Sequence, residues 1–389
     1  MKTTKYIKLN ENFSKGEVFT PVELVKNILL KIPKEIFINK NSTFLVPCIK
    51  EGNFVIELVR MLVEDYGFSI ENAKSRVIGI DSRLKFVNNL KIKGYQVYHR
   101  DFLNEDINMK FDVIIGNPPY SKSVGPTKKE PIWHLFVEKC FSSLNQDGYL
   151  SLIHPSGWRN VSGDFKKIQR LLLTKDIQYL EMHNTSDGIK TFGVATTYDY
   201  YIIKNTKNQN STKIKFQDGS EGIYDISNME FIPNSEIEFV LKLIATDEQE
   251  SVDVLYSSSK YETRNAHMNK EKTNEFIYPC VGSIIGNDEP NLIYSSLNNK
   301  GHFGIPKLII GNGVNPKCFI DYTGEYGMTQ FAYGIVDTIE NLEKIKKVLE
   351  SAKFQKINLA TKFVATAGNP LAYPRIISLF RKDFWKEFI

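Results

Sequence analysis

The residues best placed to do chemistry are Asn117-Pro118-Pro119-Tyr120, which follow the apolar run Val113-Ile114-Ile115 after a break at Gly116. The run reads as a buried strand. Open α/β sheets bind ligands at the carboxyl ends of their strands. The Asn117 side-chain oxygen accepts a hydrogen bond, and Pro118, having no N–H, offers only its carbonyl oxygen. Two such acceptors match the two hydrogens of one exocyclic –NH2 group. Pro119 stiffens the turn, and the Tyr120 ring offers a face on which a planar base can stack. Asn117, Pro118 and Tyr120 are therefore the candidate catalytic residues.

The elements that must position them come earlier in the chain. Thr20, Pro21 and Glu23 form a helix-start pattern, with a capping hydroxyl, a first-turn proline and an acid three residues on. Val22, Val25, Ile28, Leu29 and Ile32 give that helix, in a region opening at Gly16-Glu17-Val18, one apolar face. Thr43–Val46 reads as the first strand, followed by the turn Pro47-Cys48-Ile49-Lys50-Glu51-Gly52-Asn53-Phe54 and a helix. A strand, a glycine turn and a helix N-terminus together suit an anionic group. Val77–Asp81 is a second strand whose terminal carboxylate can accept from both hydroxyls of a ribose. A third, Tyr95–Tyr98, precedes Asp101-Phe102.

In this order and spacing the chain resembles the amino-methyltransferases that use S-adenosylmethionine, whose signature is (Asp/Asn/Ser)-Pro-Pro-(Tyr/Phe/Trp). The resemblance covers residues 16–203. It implies a Rossmann-like α/β fold with a mostly parallel seven-stranded sheet and S-adenosylmethionine as cofactor. It implies cofactor contacts from Thr20, Pro21, Pro47, Cys48, Gly52, Phe54, Asp81, Asp101, Phe102 and Asn117. Thr20-Pro21 would touch the methionine part, Asp101 would accept from the adenine amine, and Phe102 would pack on its ring. Pro47, Gly52 and Phe54 match the family pattern Asp-Pro-x-x-x-x-Gly-x-Phe. Val46 stands where that pattern has an acid that helps hold the amino-acid end of the cofactor, and Glu51 is a candidate substitute.

Beyond Tyr120, the stretch Ser121–Glu130 reads as a polar loop whose Lys122, Lys128 and Lys129 could order on a nucleic-acid backbone. A helix from Pro131, a strand at Leu150–Ile153, a helix at Asp164–Lys175 and strands at Ile177–His183 and Thr197–Ile203 complete the first domain, residues 1–203. His154 reads as structural, because the target amine becomes acidic only after methylation. Phe192-Gly193-Val194-Ala195 resembles a loop of adenine-specific DNA enzymes near the flipped base. Lys204–Lys213 is polar and aperiodic, so residues 204–213 read as a linker.

Residues 214–389 then form a second, α+β domain. It has a capping box at Ser235 and Glu238 opening a helix through Ala245, short strands, and closing helices at Ile339–Leu349, Phe354–Phe363 and Pro374–Phe388. Its position after the catalytic motifs resembles the target-recognition domain of gamma-type adenine-specific DNA methyltransferases. Arg159, Lys260, Arg264, Lys300, His302, Arg375 and Arg381 are candidate DNA contacts. With 389 residues and a net charge of +5, the chain has room for two domains and allows a polyanionic partner. Its four cysteines are scattered, so no metal is expected. With no apolar signal core and no long apolar run, a cytoplasmic protein without a membrane partner is expected.

The function these features imply is site-specific DNA adenine N6-methylation of a flipped-out base, as the modification component of a restriction–modification system with a cognate endonuclease as partner. RNA-base or protein-glutamine methylation is the first alternative. A DNA-binding relic that has lost the cofactor through Val46 is the second.

Overall fold

The computed structural model describes residues 19–126, 128–161, 163, 165–285, 289–311, 317–363 and 372–389. Gly16, Glu17, Val18 and Asp164, named above, lie outside the described residues. The chain divides into two compact units, 1–158 with 164–229, and 159–163 with 230–389.

In the first unit, helices α1 (Val22–Leu29) and α2 (Lys34–Ile38) precede strand β1 (Phe44–Val46) and helix α3 (Asn53–Glu64). Helix α4 (Ile70–Arg76), β2 (Val77–Asp81), α5 (Leu84–Lys91), β3 (Gln96–His99) and β4 (Phe111–Gly116) follow. Next come the short strands β5 (Ser121–Ser123) and β6 (Lys129–Pro131), helix α6 (Trp133–Ser143) and the long strand β7 (Leu144–Pro155). Helix α7 (Lys166–Leu173), β8 (Lys175–His183), α8 (Thr185–Phe192), β9 (Tyr198–Lys207), β10 (Thr212–Lys215) and β11 (Glu221–Tyr224) complete the unit.

The expected seven-stranded sheet is a nine-stranded one, in the order β11-β10-β8-β9-β7-β4-β1-β2-β3. From β3 to β7 all neighbours run parallel, and β9 runs antiparallel to both β7 and β8. The two extra strands are β10, which straddles the end of the segment read as a linker, and β11, which falls within residues expected in the second domain. Residues 204–207 continue β9, and Thr212–Lys215 pairs in parallel with β8 and antiparallel with β11. Its alternation buries Thr212 and Ile214 while Lys213 faces out, a two-residue period too short to stand out in a polar stretch. The boundary between units therefore falls after residue 229 rather than at 204–213.

The strand order reverses between β1 and β4, and both strands are buried along nearly all their length, as a sheet covered on both faces requires. Val25, Ile28 and Leu29 of α1 join Phe54, Val55 and Leu58 of α3 in the core cluster beside β1 and β4. Two further expectations are corrected here. Thr20 does not cap α1: Pro21 holds the cap position, with no side-chain hydrogen bond. Ser121–Glu130 is not a loop throughout, because β5 and β6 pair as an antiparallel hairpin.

In the second unit, helix α9 (Ile237–Leu243) starts without a capping box, its cap position being Glu236 at φ 53°. Strands β12 (Asp253–Leu255), β13 (Met268–Asn269), β14 (Tyr278–Ile285), β15 (Glu289–Ser295), β16 (Lys307–Gly311), β17 (Cys318–Asp321), β18 (Gly327–Met328) and β19 (Ala332–Val336) build two four-stranded sheets. Their orders are β12-β19-β16-β17 and β13-β15-β14-β18. Helices α10 (Ile339–Leu349), α11 (Ala352–Ala360) and α12 (Ala372–Ile377) follow. The long final helix expected over Pro374–Phe388 is instead α12, an isolated bridge at Phe380 and a 3-10 turn at Phe384–Glu387.

Candidate active site

A cavity of about 550 Å³ opens at the strand-order reversal of the first unit. Its wall brings together Pro47, Cys48, Asp81, Asp101, Phe102, Asn117, Pro118 and Tyr120 from the candidates, with Lys122 and Lys129 from the hairpin. These residues come from the ends of β1, β2, β3 and β4, spread over more than seventy positions of sequence. Parallel strand registry is what gathers them.

Asn117 follows the last residue of β4 and is buried. Its amide nitrogen donates to the Thr20 hydroxyl at 3.1 Å. That bond leaves Oδ1 as the acceptor end, and Oδ1 is buried with no protein hydrogen-bond partner. A buried acceptor left unpaired costs about 1–3 kcal/mol, so such atoms mark places where a ligand group completes the pairing. The Tyr120 hydroxyl is likewise buried without a protein partner, and burial holds its pKa well above the ordinary phenol value. It is a neutral phenol at physiological pH. A Cβ at Gly116 would make ordinary contacts with the Pro47 ring, at 3.4 and 3.9 Å, so space beside the β1 turn does not by itself demand glycine there.

The β1 turn ends at Gly52, which adopts φ 95° and caps α3. A Cβ at this position would meet Leu90 Cδ1 at 2.6 Å, so both backbone and space call for glycine. The first amides of α3 point out of the helix start and are donors for an anion. Phe54 belongs to the core cluster rather than to the cavity wall, and anchors the start of α3. Thr20 and Pro21 are also absent from that wall. Thr20 meets the site through Asn117, while its carbonyl accepts from Asn53 Nδ2 at 2.8 Å.

Asp81 is buried at the end of β2. Its Oδ2 accepts from the Lys50 backbone N–H at 3.0 Å, and Arg83 grips both oxygens, with Nε at 2.9 Å from Oδ1 and an η-nitrogen at 3.1 Å from Oδ2. Arg83 was not foreseen. A hydroxyl pair arriving at Asp81 must share the carboxylate with this guanidinium. Asp101 closes a short turn, accepting from Leu103 N–H at 3.0 Å and from Asn104 Nδ2 at 2.8 Å. Phe102 is buried and stacks on Phe136, with centroids 5.8 Å apart, and both rings line the cavity. Burial, with Asp81 nearby, pushes the Cys48 thiol up to about 12, so Cys48 is a neutral wall group and not a nucleophile.

Val194 and Thr196, beyond the left-handed Gly193 that ends α8, also reach this cavity. Helix α8 itself was missed, although Asn184 and Asp187 form a capping box whose pattern is present in the sequence. His154 is structural: it is fully buried, stacks on Trp133 at 4.3 Å, and pairs Nε2 with the Tyr201 hydroxyl at 3.1 Å.

Several nucleic-acid candidates are corrected. Arg159 is fully buried in the second unit, donates to the Ile232 carbonyl at 3.0 Å and lies over the Phe363 ring, so it is a packing residue. His302 is fully buried. Arg381 is neutralised by Asp383 and Glu387. Lys128 is exposed and pairs with Glu130 at 3.4 Å. Lys260, Lys300, Arg264 and Arg375 are exposed, with Arg264 held by Glu262 at 2.8 Å. Among the described residues no His, Cys, Asp and Glu cluster could hold a metal ion, and no helix is long and apolar enough to cross a membrane.

Comparison with known proteins adds the following. Residues 68–192 match the model of the Eco57I restriction-modification methylase family. The type II methyltransferase M.VspI of Vibrio sp. (strain 343) is 24% identical over 188 residues, 43% of this chain and 44% of that protein. The modification methylase CviBIII of Paramecium bursaria Chlorella virus NC1A is 26% identical over 211 residues, 50% of this chain and 52% of that protein. The chain thus spans about half the length of these curated relatives. A nuclease-deletion mutant of the Type ISP restriction-modification enzyme LlaGI, solved with a DNA substrate mimic, superposes with a TM-score of 0.55 at 12% identity, covering 95% of this chain and 46% of that one. That likeness is one of fold. The stretch from β2 to α8, with Asn117-Pro118-Pro119-Tyr120 inside it, is similar in sequence to restriction-modification methylases.

Proposed function

We propose that this protein is a site-specific DNA adenine N6-methyltransferase that uses S-adenosylmethionine and acts as the modification component of a restriction–modification system. The observation that carries the reading is the buried, unpartnered Asn117 Oδ1 on the wall of the cavity. The residues present fit the cofactor: an aromatic slot at Phe102 and carboxylates at Asp101 and Asp81 line the cavity, and the glycine turn and helix start at Gly52 and Asn53 follow the wall residues Pro47, Cys48 and Lys50 without lining the cavity themselves. When bound, the cofactor supplies an electrophilic methyl group on sulfur.

The chain's own groups do the rest. Asn117 Oδ1 and the Pro118 carbonyl accept from the adenine amine and keep electron density on its nitrogen. Tyr120 stacks on the base, which leaves the duplex because its amine cannot be reached inside the stack. The wall groups hold the amine in line with the methyl carbon and exclude water, so catalysis is largely orientation. Lys122 and Lys129 suit phosphates beside the extruded nucleotide. The second unit reads the target sequence, with Lys260 and Arg264 as exposed contacts. The match to a restriction-modification methylase family supports DNA over RNA bases or protein glutamine as substrate. A cognate endonuclease is the expected partner, and the cytoplasm the expected location.

The test is transfer of a tritiated methyl group to duplex DNA, followed by nucleoside analysis. Wild type should yield N6-methyladenine. Asn117→Ala should lose transfer about 100-fold or more while binding cofactor almost normally by calorimetry. Wild-type rates in that variant, or label in RNA or protein alone, would count against the reading. Absence of cofactor binding by the wild type would favour the relic.

A further inference from the structure

Asp81, at the end of β2, has its acceptor positions taken by the protein. Oδ1 accepts from the Arg83 main-chain N–H at 3.0 Å and from Arg83 Nε at 2.9 Å. Oδ2 accepts from the Lys50 main-chain N–H at 3.0 Å and from an Arg83 η-nitrogen at 3.1 Å. A carboxylate has about four lone-pair sites, so these four bonds fill it. Two of the donors are main-chain groups, fixed by the turns that follow β1 and β2. The other two belong to one side chain and can leave together.

That side chain is well placed to leave. Asp81 and Arg83 both line the cavity, and the Arg83 side chain is 33% exposed where that of Asp81 is 2% exposed. The guanidinium lies 4.3 Å from the centroid of the Phe86 ring on α5, which gives it a second surface to rest on. The charge of Asp81 also has other company. Glu51 and Asp81 both attract the Lys50 ammonium, which Arg83 repels. Swinging the guanidinium aside leaves the carboxylate with two main-chain N–H groups and a nearby cation. It opens two lone-pair sites, the number that the two hydroxyls of a ribose require.

We propose that Arg83 is an internal competitor for the cofactor's ribose: its guanidinium must leave Asp81 before the two hydroxyls can be accepted, and this exchange holds the affinity below what Asp81 alone would give. This rests on S-adenosylmethionine being the cofactor and on Asp81 taking its ribose. A bidentate, charge-assisted pair is traded for two hydroxyl bonds, so the diol adds little net binding. The same trade applies to S-adenosylhomocysteine, which keeps the ribose, and it eases release of that product.

The test is calorimetric titration of wild type, Arg83→Met and Arg83→Lys with S-adenosylhomocysteine and with its 2′,3′-dideoxy analogue. Methionine keeps an apolar stem against Phe86 and removes the guanidinium. Wild type should bind the two ligands within about 3-fold of each other. Arg83→Met should bind the diol-bearing ligand about 10-fold tighter and the dideoxy analogue unchanged. Arg83→Lys, with a point charge in place of the planar fork, should fall between, and it carries the test if thermal melting shows Arg83→Met to be unfolded. Weaker binding of the diol by the variants, an equal gain for both ligands, or a wild type that already favours the diol 100-fold would overturn the assignment. A wild type that binds neither ligand would overturn the cofactor reading itself.

Discussion

Thr20→Val probes the orientation of the Asn117 amide, which the proposed function makes the acceptor for the adenine amine. Valine keeps the shape of threonine and removes the hydroxyl that accepts from Asn117 Nδ2 at 3.1 Å. Both residues are buried, at 4% and 2% exposure, so water does not readily replace the lost partner. Thr20 makes no capping bond to α1, which keeps helix stability out of the comparison. Leaving Nδ2 buried and unpaired costs about 1–3 kcal/mol. The protein can accept that cost with the amide in place, or it can rotate the amide by half a turn and present a donor where the adenine amine needs an acceptor. The first course lowers stability and spares the rate. The second spares stability and lowers single-turnover methylation by roughly 5- to 150-fold, the same free energy in another form. The assay is single-turnover transfer to duplex DNA at saturating cofactor, beside urea unfolding of the same variant. Thr20→Ser should restore both. If Thr20→Val matched wild type in rate and in stability together, the hydroxyl would have no part in aiming Asn117.

Two other expectations concern the second unit. Lys307 and Asp321 form an ion pair of 2.6 Å with side chains at 0% and 2% exposure, and Asp321 also accepts from the N–H groups of Gly324, Glu325 and Tyr326. Lys307→Met strands that carboxylate and should cost about 3–5 kcal/mol, read as a lower urea midpoint. His302 is buried as the neutral ring, with Nδ1 accepting from the Met328 N–H at 3.2 Å, and its pKa is lowered from 6.5 to about 4, chiefly by burial with Lys260 and Lys307 adding. Below pH 6.5 the unfolded chain takes up a proton that the folded ring refuses. The stabilising contribution is thus complete above pH 6.5 and is lost as pH falls towards 4, by on the order of 3 kcal/mol. His302→Gln should flatten this part of the stability-versus-pH curve, and an unchanged slope would refute the assignment.

The sequence was most legible where a local pattern and the fold agree. Val77–Asp81 and Ile339–Leu349 are strand and helix at the expected bounds because one is a continuous apolar run and the other a capped amphipathic repeat. Asn117, Asp81 and Phe102 could be singled out because each stands at the carboxyl end of a strand, where a parallel sheet gathers side chains. Long-range pairing was not legible. Nothing near Thr20 announces that its partner lies 97 positions away, and nothing near Arg83 announces that it occupies the neighbouring carboxylate. Strand β10 was hidden because it is only four residues long and alternates lysines with Thr212 and Ile214, so it looked like a tether although it pairs on both sides. Arg159 misled for the converse reason: a cation after a glycine and a tryptophan looks like a surface contact until Ile232 and Phe363 cover it.

The assignment of residues 159–163 to the second unit bears on how that unit could be exchanged between related chains. A graft joined at residue 229 alone would transplant the recipient's Arg159 under a foreign Ile232 and Phe363, leaving a guanidinium interred among side chains that did not evolve to receive it. A chimera with two seams, carrying residues 159–163 along with the stretch from 230 onward, keeps that cation with its own lodging. The second unit is therefore best moved as a split cassette, with seams at two places in the host chain.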